Sequence, residues 1–169
     1  MIKILKILFH MFFRLFFTLE YYGEENIPKT GPAVLAGNHP SYLDPIFIYI
    51  AAARPVRFLA WDKLFAVPVL GWLVKSFGAI PVNVTKRDSN AFEQAMKVLG
   101  EGDLLGIFPE AGRSKQGVIE ESLKTGAARL AIFNKCPLVP ITITGAEIPL
   151  IKRMVVAWRK LQHGCSNPN

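Results

Sequence analysis

The sequence predicts an α/β fold: a single domain with a largely parallel or mixed sheet flanked by helices, preceded by an N-terminal amphipathic helix. Short apolar runs alternate with helix-like segments after Pro32, a pattern typical of parallel strands joined by helices. The chain has 169 residues, which is the usual length of one domain. With 51% hydrophobic and 20% charged residues it is too apolar for a disordered chain, and some apolar surface is expected to avoid bulk water.

The apolar runs and the helical periodicities give the element order. Strands are predicted at Ala33–Gly37, Val56–Trp61, Ala79–Val82, Leu104–Phe108 and Leu138–Ile143. Helices are predicted at Tyr42–Ala53, Val67–Ser76, Ala91–Leu99 and Leu123–Asn134. For the third helix we expect Asn90 with Glu93 to cap the start and Gly100 to end it.

The N-terminal segment Ile2–Leu19 carries its polar residues at helical spacing. Lys3, Lys6, His10 and Arg14 share one side, and the remaining face is Ile, Leu, Met and Phe. The segment is interrupted too often for a membrane span, and no small-residue cleavage site follows it. It predicts an interfacial helix with a basic polar face; the alternative is a helix that packs its apolar face on its own domain.

The positive charge is concentrated at the two ends of the chain. The formal net charge is +7, of which the first nineteen residues carry +3 and the residues after Glu147 carry +4, so the remainder sums to zero. This distribution argues against nucleic-acid binding, which spreads basic residues over one face of a domain, and favours an anionic membrane surface. We therefore expect a membrane-association helix at 1–20, an α/β domain at 21–151 and a basic tail at 152–169.

The two cysteines fit a reducing compartment. Cys136 and Cys165 have no metal-ligand or redox spacing and cannot form a disulfide framework. We therefore expect a peripheral or monotopic membrane protein on the cytoplasmic face.

Two polar clusters follow apolar strands directly. AVLAG leads into Asn38–Asp44, and LLGIF leads into Pro109–Ser114. The carboxyl ends of parallel strands lie at one edge of a sheet, so both clusters should face one crevice.

The first cluster contains a candidate general base. His39 precedes Pro40, which keeps its backbone extended, and Asp44 falls in the first turn of the next helix. The imidazole can then fold back onto the carboxylate, which fixes the tautomer and stabilises the imidazolium. The alternatives are a capping interaction between Ser41 and Asp44 and a loop histidine that is merely satisfied.

The second cluster suits a phosphate group. Glu110 and Arg113 follow a strand, and guanidinium binds phosphate in a bidentate way. Lys86, Arg87 and Lys115 could add positive charge; the alternative is a charged surface turn. The sequence contains no Gly-rich nucleotide loop, no G-x-S-x-G elbow and no second zinc ligand near His39, so neither a cofactor nor a metal is predicted.

From Tyr22 to Leu150 the chain resembles the glycerolipid acyltransferase family, which includes the 1-acylglycerol-3-phosphate and other lysophospholipid acyltransferases. His39–Asp44 matches its H-x4-D motif, and Phe108–Ser114 is similar to its F-P-E-G-T-R-S block. Gly78–Val82 and Val139–Ile141 match two further blocks. The four blocks occur in the family's order, which is far more specific than H-x4-D alone.

The resemblance implies direct acyl transfer with no covalent enzyme intermediate. His39, oriented by Asp44, would deprotonate a lysophospholipid hydroxyl, which attacks the thioester of acyl-CoA or an acyl carrier protein. It also implies that Glu110 and Arg113 hold the glycerophosphate, and we add four further candidate substrate-binding residues: Asn38, Gly112, Lys86 and Arg87. Lysophosphatidate is the implied acceptor. The alternatives are another lysolipid or a lipid amine as acceptor, a thioesterase, or a non-catalytic membrane-binding protein on the same fold.

The chain departs from the family's pattern in three places. Val84 stands where the family usually has arginine, and Ala111 and Gly112 replace the usual Gly-Thr pair. The family also continues into a further strand and helix, whereas this chain passes through Met154–Trp158 into the polar segment Gln162–Asn169. We expect either a truncated chain or a compact variant.

Overall fold

The computed structural model of the protein describes residues 7–8, 10–13, 15, 18–85, 88–110, 124–145 and 153–158. The strands in these ranges are β1 (Thr18–Tyr22), β2 (Ala33–Gly37), β3 (Val56–Trp61), β4 (Ile80–Val82), β5 (Leu104–Ile107), β6 (Leu138–Thr144) and β7 (Arg153–Trp158). They form one seven-stranded sheet in the order β1-β7-β6-β2-β5-β3-β4.

The sheet is mixed, as the sequence predicts. Strands β6, β2, β5, β3 and β4 run parallel to one another. Strand β7 is antiparallel to β6, and β1 is parallel to β7. The two strands at this edge therefore run against the other five.

The edge strand β1 and its neighbour β7 lie outside the strands that the sequence predicts. The predicted helix Ile2–Leu19 is wrong at its end, because Thr18 and Leu19 are the first residues of β1. Their register partners are Arg153 and Met154, at the far end of the chain. Local periodicity carries no information about a partner so distant in sequence, so tertiary pairing decides the structure here.

The helices cover both faces of the sheet. They are α1 (Asp44–Ala51), α2 (Leu70–Ser76), α3 (Ser89–Gly100) and α4 (Gly126–Phe133). One core contains Phe47 and Ile48 of α1 together with Leu35; the other contains Leu99 of α3 and Leu130 of α4. Because successive side chains of a strand point to opposite faces, β2 contributes to both cores.

The cap of α3 corrects a prediction. Asp88, not Asn90, accepts the Ala91 N–H, at 3.0 Å. The Asn90 side chain accepts a hydrogen bond from Gln94 one turn later. The last helical residue is Gly100, as predicted, whereas the left-handed backbone that follows it is at Gly102 (φ 86°).

The described residues between 7 and 15 are helical. Phe13 is buried in the first core, and its ring contacts Phe47 of α1 edge-on, with ring centroids 5.1 Å apart. Searching the described part of the chain, we find no helix with both the length and the hydropathy needed to cross a membrane.

Candidate active site

The two polar clusters begin at the carboxyl ends of adjacent parallel strands. Ala36 of β2 is in register with Ile107 of β5, so the chain leaves both strands at the same level of the sheet. On the other side of β2, Gly37 is in register with Ile141 of β6. These strand ends lie at the middle of the sheet, the place where ligands collect in open α/β folds.

His39 and Asp44 are in hydrogen-bond contact. Nδ1 of His39 lies 2.8 Å from Oδ2 of Asp44. The carboxylate is fully buried, whereas the imidazole remains 17% exposed. A buried carboxylate is stable only where it is paired or hydrogen-bonded, so the imidazole edge is a necessary neighbour of Asp44.

The alternative capping interaction is also present and uses the same oxygen. The Ser41 backbone N–H donates to Oδ2 of Asp44 at 2.7 Å, and the Asp44 N–H donates to the Ser41 carbonyl at 3.3 Å. This tight turn brings His39 back over the start of α1. The local sequence therefore fixes both the helix start and the position of the carboxylate.

The face of the His39 ring is covered by an aromatic side chain. The imidazole stacks on Phe108, with centroids 4.1 Å apart and planes inclined by 16°. Phe108 in turn stacks on Phe58 of β3, with centroids 5.9 Å apart. The two polar clusters are thus joined through an apolar residue that the sequence reasoning did not select.

Asn38 ties the loop after β2 to strand β6. Its Nδ2 donates to the Ile143 carbonyl at 2.9 Å, and its Oδ1 accepts the Ile143 N–H at 2.7 Å. Both polar atoms of the amide thus hold the backbone on which His39 is mounted. Substrate binding by Asn38 stays a prediction.

The phosphate-binding candidates are described only in part. Glu110 is 6% exposed at the end of the segment that follows β5, and the preceding Pro109 carbonyl accepts the Lys124 N–H at 2.8 Å. Val84, which stands where the family usually has arginine, is exposed on the loop after β4. Gly112, Arg113, Lys86 and Arg87 lie outside the described residues.

The residues that sequence reasoning missed are Phe108 and Phe58. The run LLGIF indicates a buried strand, and in such a run phenylalanine is normally a core residue. One signal was available: Gly106 lies two residues before Phe108, and glycine inside a strand often marks a close approach of another group. Here that group is the Phe58 ring, which a Cβ at Gly106 would overlap.

This arrangement is able to accept a proton. When Nδ1–H of a neutral imidazole donates to a carboxylate, the lone pair resides on Nε2. The carboxylate then stabilises the imidazolium that forms when Nε2 takes up a proton. The half-buried ring at a crevice is therefore suited to general-base chemistry.

The sequence is similar to those of known proteins. The family described as "Acyltransferase" matches residues 18–144. The chloroplast 1-acyl-sn-glycerol-3-phosphate acyltransferase of Arabidopsis thaliana is 32% identical over 133 residues, or 77% of this chain and 37% of the relative. The 1-acyl-sn-glycerol-3-phosphate acyltransferase of Borreliella burgdorferi is 32% identical over 79% of this chain and 54% of the relative.

The fold has a counterpart among solved structures. The crystal structure of the 1-acyl-sn-glycerophosphate acyltransferase of Thermotoga maritima superposes with a TM-score of 0.77 at 23% identity, covering 94% of this chain and 67% of that one. The chain spans less than two thirds of the length of the curated relatives named above. The family pattern covers three quarters of the sequence and both polar clusters, and on that basis the chain belongs to the acyltransferase family.

Proposed function

We propose that this protein transfers a fatty acyl group from an acyl thioester to the hydroxyl of lysophosphatidate, giving phosphatidate, with His39 as the general base. The observation that carries the proposal is the 2.8 Å contact between His39 Nδ1 and the buried Asp44 carboxylate, at the carboxyl end of β2. The names of the relatives from Arabidopsis thaliana and Borreliella burgdorferi support the choice of acceptor. The donor is acyl-CoA or an acyl carrier protein.

The reaction needs one base and no covalent intermediate on the protein. His39 Nε2 takes the hydroxyl proton while the acceptor oxygen attacks the thioester carbonyl. The tetrahedral intermediate expels the thiolate of the donor, and the imidazolium returns its proton to that sulfur. General-base assistance typically contributes about 10²–10⁴-fold to the rate, and holding two substrates together contributes more.

The acceptor phosphate is assigned to the second cluster. Glu110 is buried shortly after the carboxyl end of β5, and Arg113 follows it by three residues in the sequence. A guanidinium at this position would bind the phosphate through two hydrogen bonds. Lys86 and Arg87 are candidates for further charge, in place of the arginine that Val84 replaces.

The proposal includes peripheral association with an anionic membrane surface. Phe13 packs inward on Phe47, whereas the other apolar side chains described in the N-terminal helical segment are 56–79% exposed: Ile7, Leu8, Met11, Phe12 and Leu15. Exposed apolar area of this kind is typical of interfacial helices. The helix would therefore use one face for its own domain and the other for lipid, which combines the two sequence-based alternatives.

A second segment also exposes apolar side chains. Val69, directly before α2, is 80% exposed, and Trp72 of α2 is 62% exposed. Helix α1 contacts both regions, because Phe13 packs on its Phe47 and Phe77 packs on its Tyr49. The cytoplasmic side of the membrane stays a prediction.

The transfer reaction is tested with purified protein in anionic vesicles, labelled acyl-CoA or acyl carrier protein, and a panel of lysolipids. We expect phosphatidate from lysophosphatidate, and loss of that product in His39→Ala. If only other lysolipids or lipid amines were acylated, the acceptor would be one of those and not lysophosphatidate. Release of fatty acid alone would identify a thioesterase. No turnover of any acyl donor would leave a non-catalytic membrane protein and refute the proposal.

Membrane association is tested by changing the exposed face of the N-terminal helix while keeping Phe13. We expect the triple variant Leu8→Ser, Met11→Ser, Leu15→Ser to lose co-sedimentation with phosphatidylglycerol vesicles. The matched control is Ile132→Ser with Phe133→Ser, which changes side chains that are 74% and 60% exposed on α4, at the other face of the sheet. If both variants lost co-sedimentation equally, general surface hydrophobicity would explain the binding, and the N-terminal helix would be refuted as the membrane-binding surface.

A further inference from the structure

Three rings form a row that runs from the middle of β3 to the carboxyl ends of β5 and β2. Phe58 belongs to β3, Phe108 follows β5, and His39 follows β2. The planes of Phe58 and Phe108 are inclined by only 11°, and those of Phe108 and His39 by 16°. The row is therefore a continuous stack that begins in the core and ends at the imidazole.

The strand pattern explains how the row is built. Phe58 is in register with Gly106 of the neighbouring strand. Residues 106 and 108 point to the same face, since side chains alternate along a strand. Glycine at 106 provides the room for the Phe58 ring, and Phe108 then lies beside that ring and against His39.

We propose that Phe108 is a positioning residue of the general base: its ring fixes the plane of the His39 imidazole, and Phe58 supports it from the core. This inference rests on the proposed function in one respect, the identity of His39 as the base. The hydrogen bond to Asp44 restrains the Nδ1 edge of the ring but leaves rotation about that edge. Stacking removes this remaining freedom, so Nε2 is held in one direction.

The stack also favours the charged form of the ring during the reaction. The face of an aromatic ring attracts a cation that lies within about 6 Å of its centroid, and the imidazolium formed on proton uptake is 4.1 Å from Phe108. A leucine at this position keeps apolar volume but offers no π face. We therefore expect the substitution by leucine to lower kcat and to leave the KM values of the two substrates unchanged.

The first experiment compares Phe108→Leu with Phe108→Tyr. We expect Phe108→Leu to lower kcat about tenfold, which corresponds to one modest cation–π contact, with KM values near those of the wild type. Phe108→Tyr, which keeps the aromatic face, should restore most of kcat. Phe92→Leu is the matched control, because Phe92 belongs to an aromatic pair with Phe133 on the other face of the sheet. Equal losses in Phe108→Leu and Phe108→Tyr, or none in Phe108→Leu, would overturn the proposal.

A second measurement does not depend on activity. The carbon-bound ring protons of a stacked imidazole resonate upfield because of the ring current of its neighbour. We expect the His39 ring protons to move downfield in Phe108→Leu and to stay in place in Phe92→Leu. Unchanged resonances in Phe108→Leu would overturn the stack even if the chain proved to have no transferase activity, so this failure is distinguishable from failure of the proposed function.

A double-mutant cycle tests the support from the core without touching Phe108, and it answers the question should Phe108→Leu fail to fold. Gly106→Ala forces the Phe58 ring to move, so it should lower kcat and shift the His39 ring resonances. In a Phe58→Leu background the same glycine change should have little further effect, since the obstructing ring is gone. Additive effects of the two changes would contradict the proposal that Phe58 supports His39 through the Phe108 ring.

Discussion

The two ends of the parallel strands use charged residues for opposite purposes. At the carboxyl ends, the fully buried carboxylate of Asp44 contacts the largely buried ring of His39. At the amino ends, Arg54 donates to the backbone carbonyls of Pro28, Gly31 and Gly102, which tie the loops before β2 and β5 to the segment before β3.

The comparison separates chemistry from architecture. A carbonyl keeps its charge distribution at every pH and suits a permanent clamp, whereas an imidazole changes its charge near neutral pH and suits proton transfer. Arg57 next to the clamp pairs with Asp103 at 3.1 Å, but both side chains are about 40% exposed. Mutations at the carboxyl ends should therefore change activity more than stability, and mutations at the amino ends the reverse.

The largest effect is expected for Asp44→Asn. The amide keeps the shape of the side chain and an acceptor for the Ser41 N–H, but it loses the negative charge that stabilises the imidazolium. We expect transfer to fall by about 10² or more, within the usual range for base catalysis, while the protein remains folded. The measurement is kcat/KM for the lysolipid acceptor together with the thermal midpoint.

The same chemical change at the other end of the sheet is the matched control. Asp103→Asn removes one half-exposed charge from the Arg57 pair, so its transfer activity should equal that of the wild type. A similar loss of activity in both variants would mean that charge anywhere near the sheet matters, and the contrast between the two ends would fail.

An intermediate effect, on stability alone, is expected for Arg54→Met. The substitution removes charge-assisted hydrogen bonds to three carbonyls, and bonds of this kind contribute about 1.5–3 kcal/mol. We expect the unfolding free energy to fall by about 2 kcal/mol, or the Tm by about 4–8 °C for a chain of this size, with kcat unchanged. Chemical denaturation and calorimetry provide the measurement.

Arg57→Met sharpens the test, because it removes an arginine of the same region from an exposed pair. Such pairs contribute about 0.2–1 kcal/mol, so this variant should lose less than Arg54→Met. Equal losses would contradict the distinction between a backbone clamp and a surface ion pair.

The sequence predicts the candidate-site end of the sheet better than its antiparallel edge. His39 and Asp44 are only five residues apart, and the Pro40 backbone and the Ser41 turn determine their approach locally. The expectation that the two polar clusters face each other follows from one general rule about parallel strands. By contrast, β1 finds its partner β7 only at the opposite end of the chain, and no local pattern reports such a pairing.

The aromatic stack was hidden for a related reason. In their local sequence, Phe58 and Phe108 look like ordinary core residues of buried strands. Only the register of β3 on β5 brings their rings together. The role of Glu110 in holding the glycerophosphate end of the acceptor rests on the family resemblance, because the burial of its side chain does not by itself indicate what it binds. Residues selected by sequence are therefore those whose partners lie within a few positions.

The smallest effect is expected at Asp88, a carboxylate at the same end of the sheet as Asp44 with a structural task. Backbone N–H groups of Ala91 and Asn83 donate to it and hold its pKa below the ordinary value of 3.8. A lowered folded-state pKa contributes stability that is fully present above 3.8 and is lost as the pH falls through the folded pKa. Asp88→Asn should therefore lower the Tm slightly at about pH 7, and the difference should shrink towards about pH 3 as the wild-type carboxylate becomes protonated.

Asn90→Ala is the control, because Asn90 is the residue that the sequence alone selects as the cap, and this variant should show no such pH dependence. A difference between wild type and Asp88→Asn that stays constant over this range would show that the capping charge contributes nothing to the stability of α3.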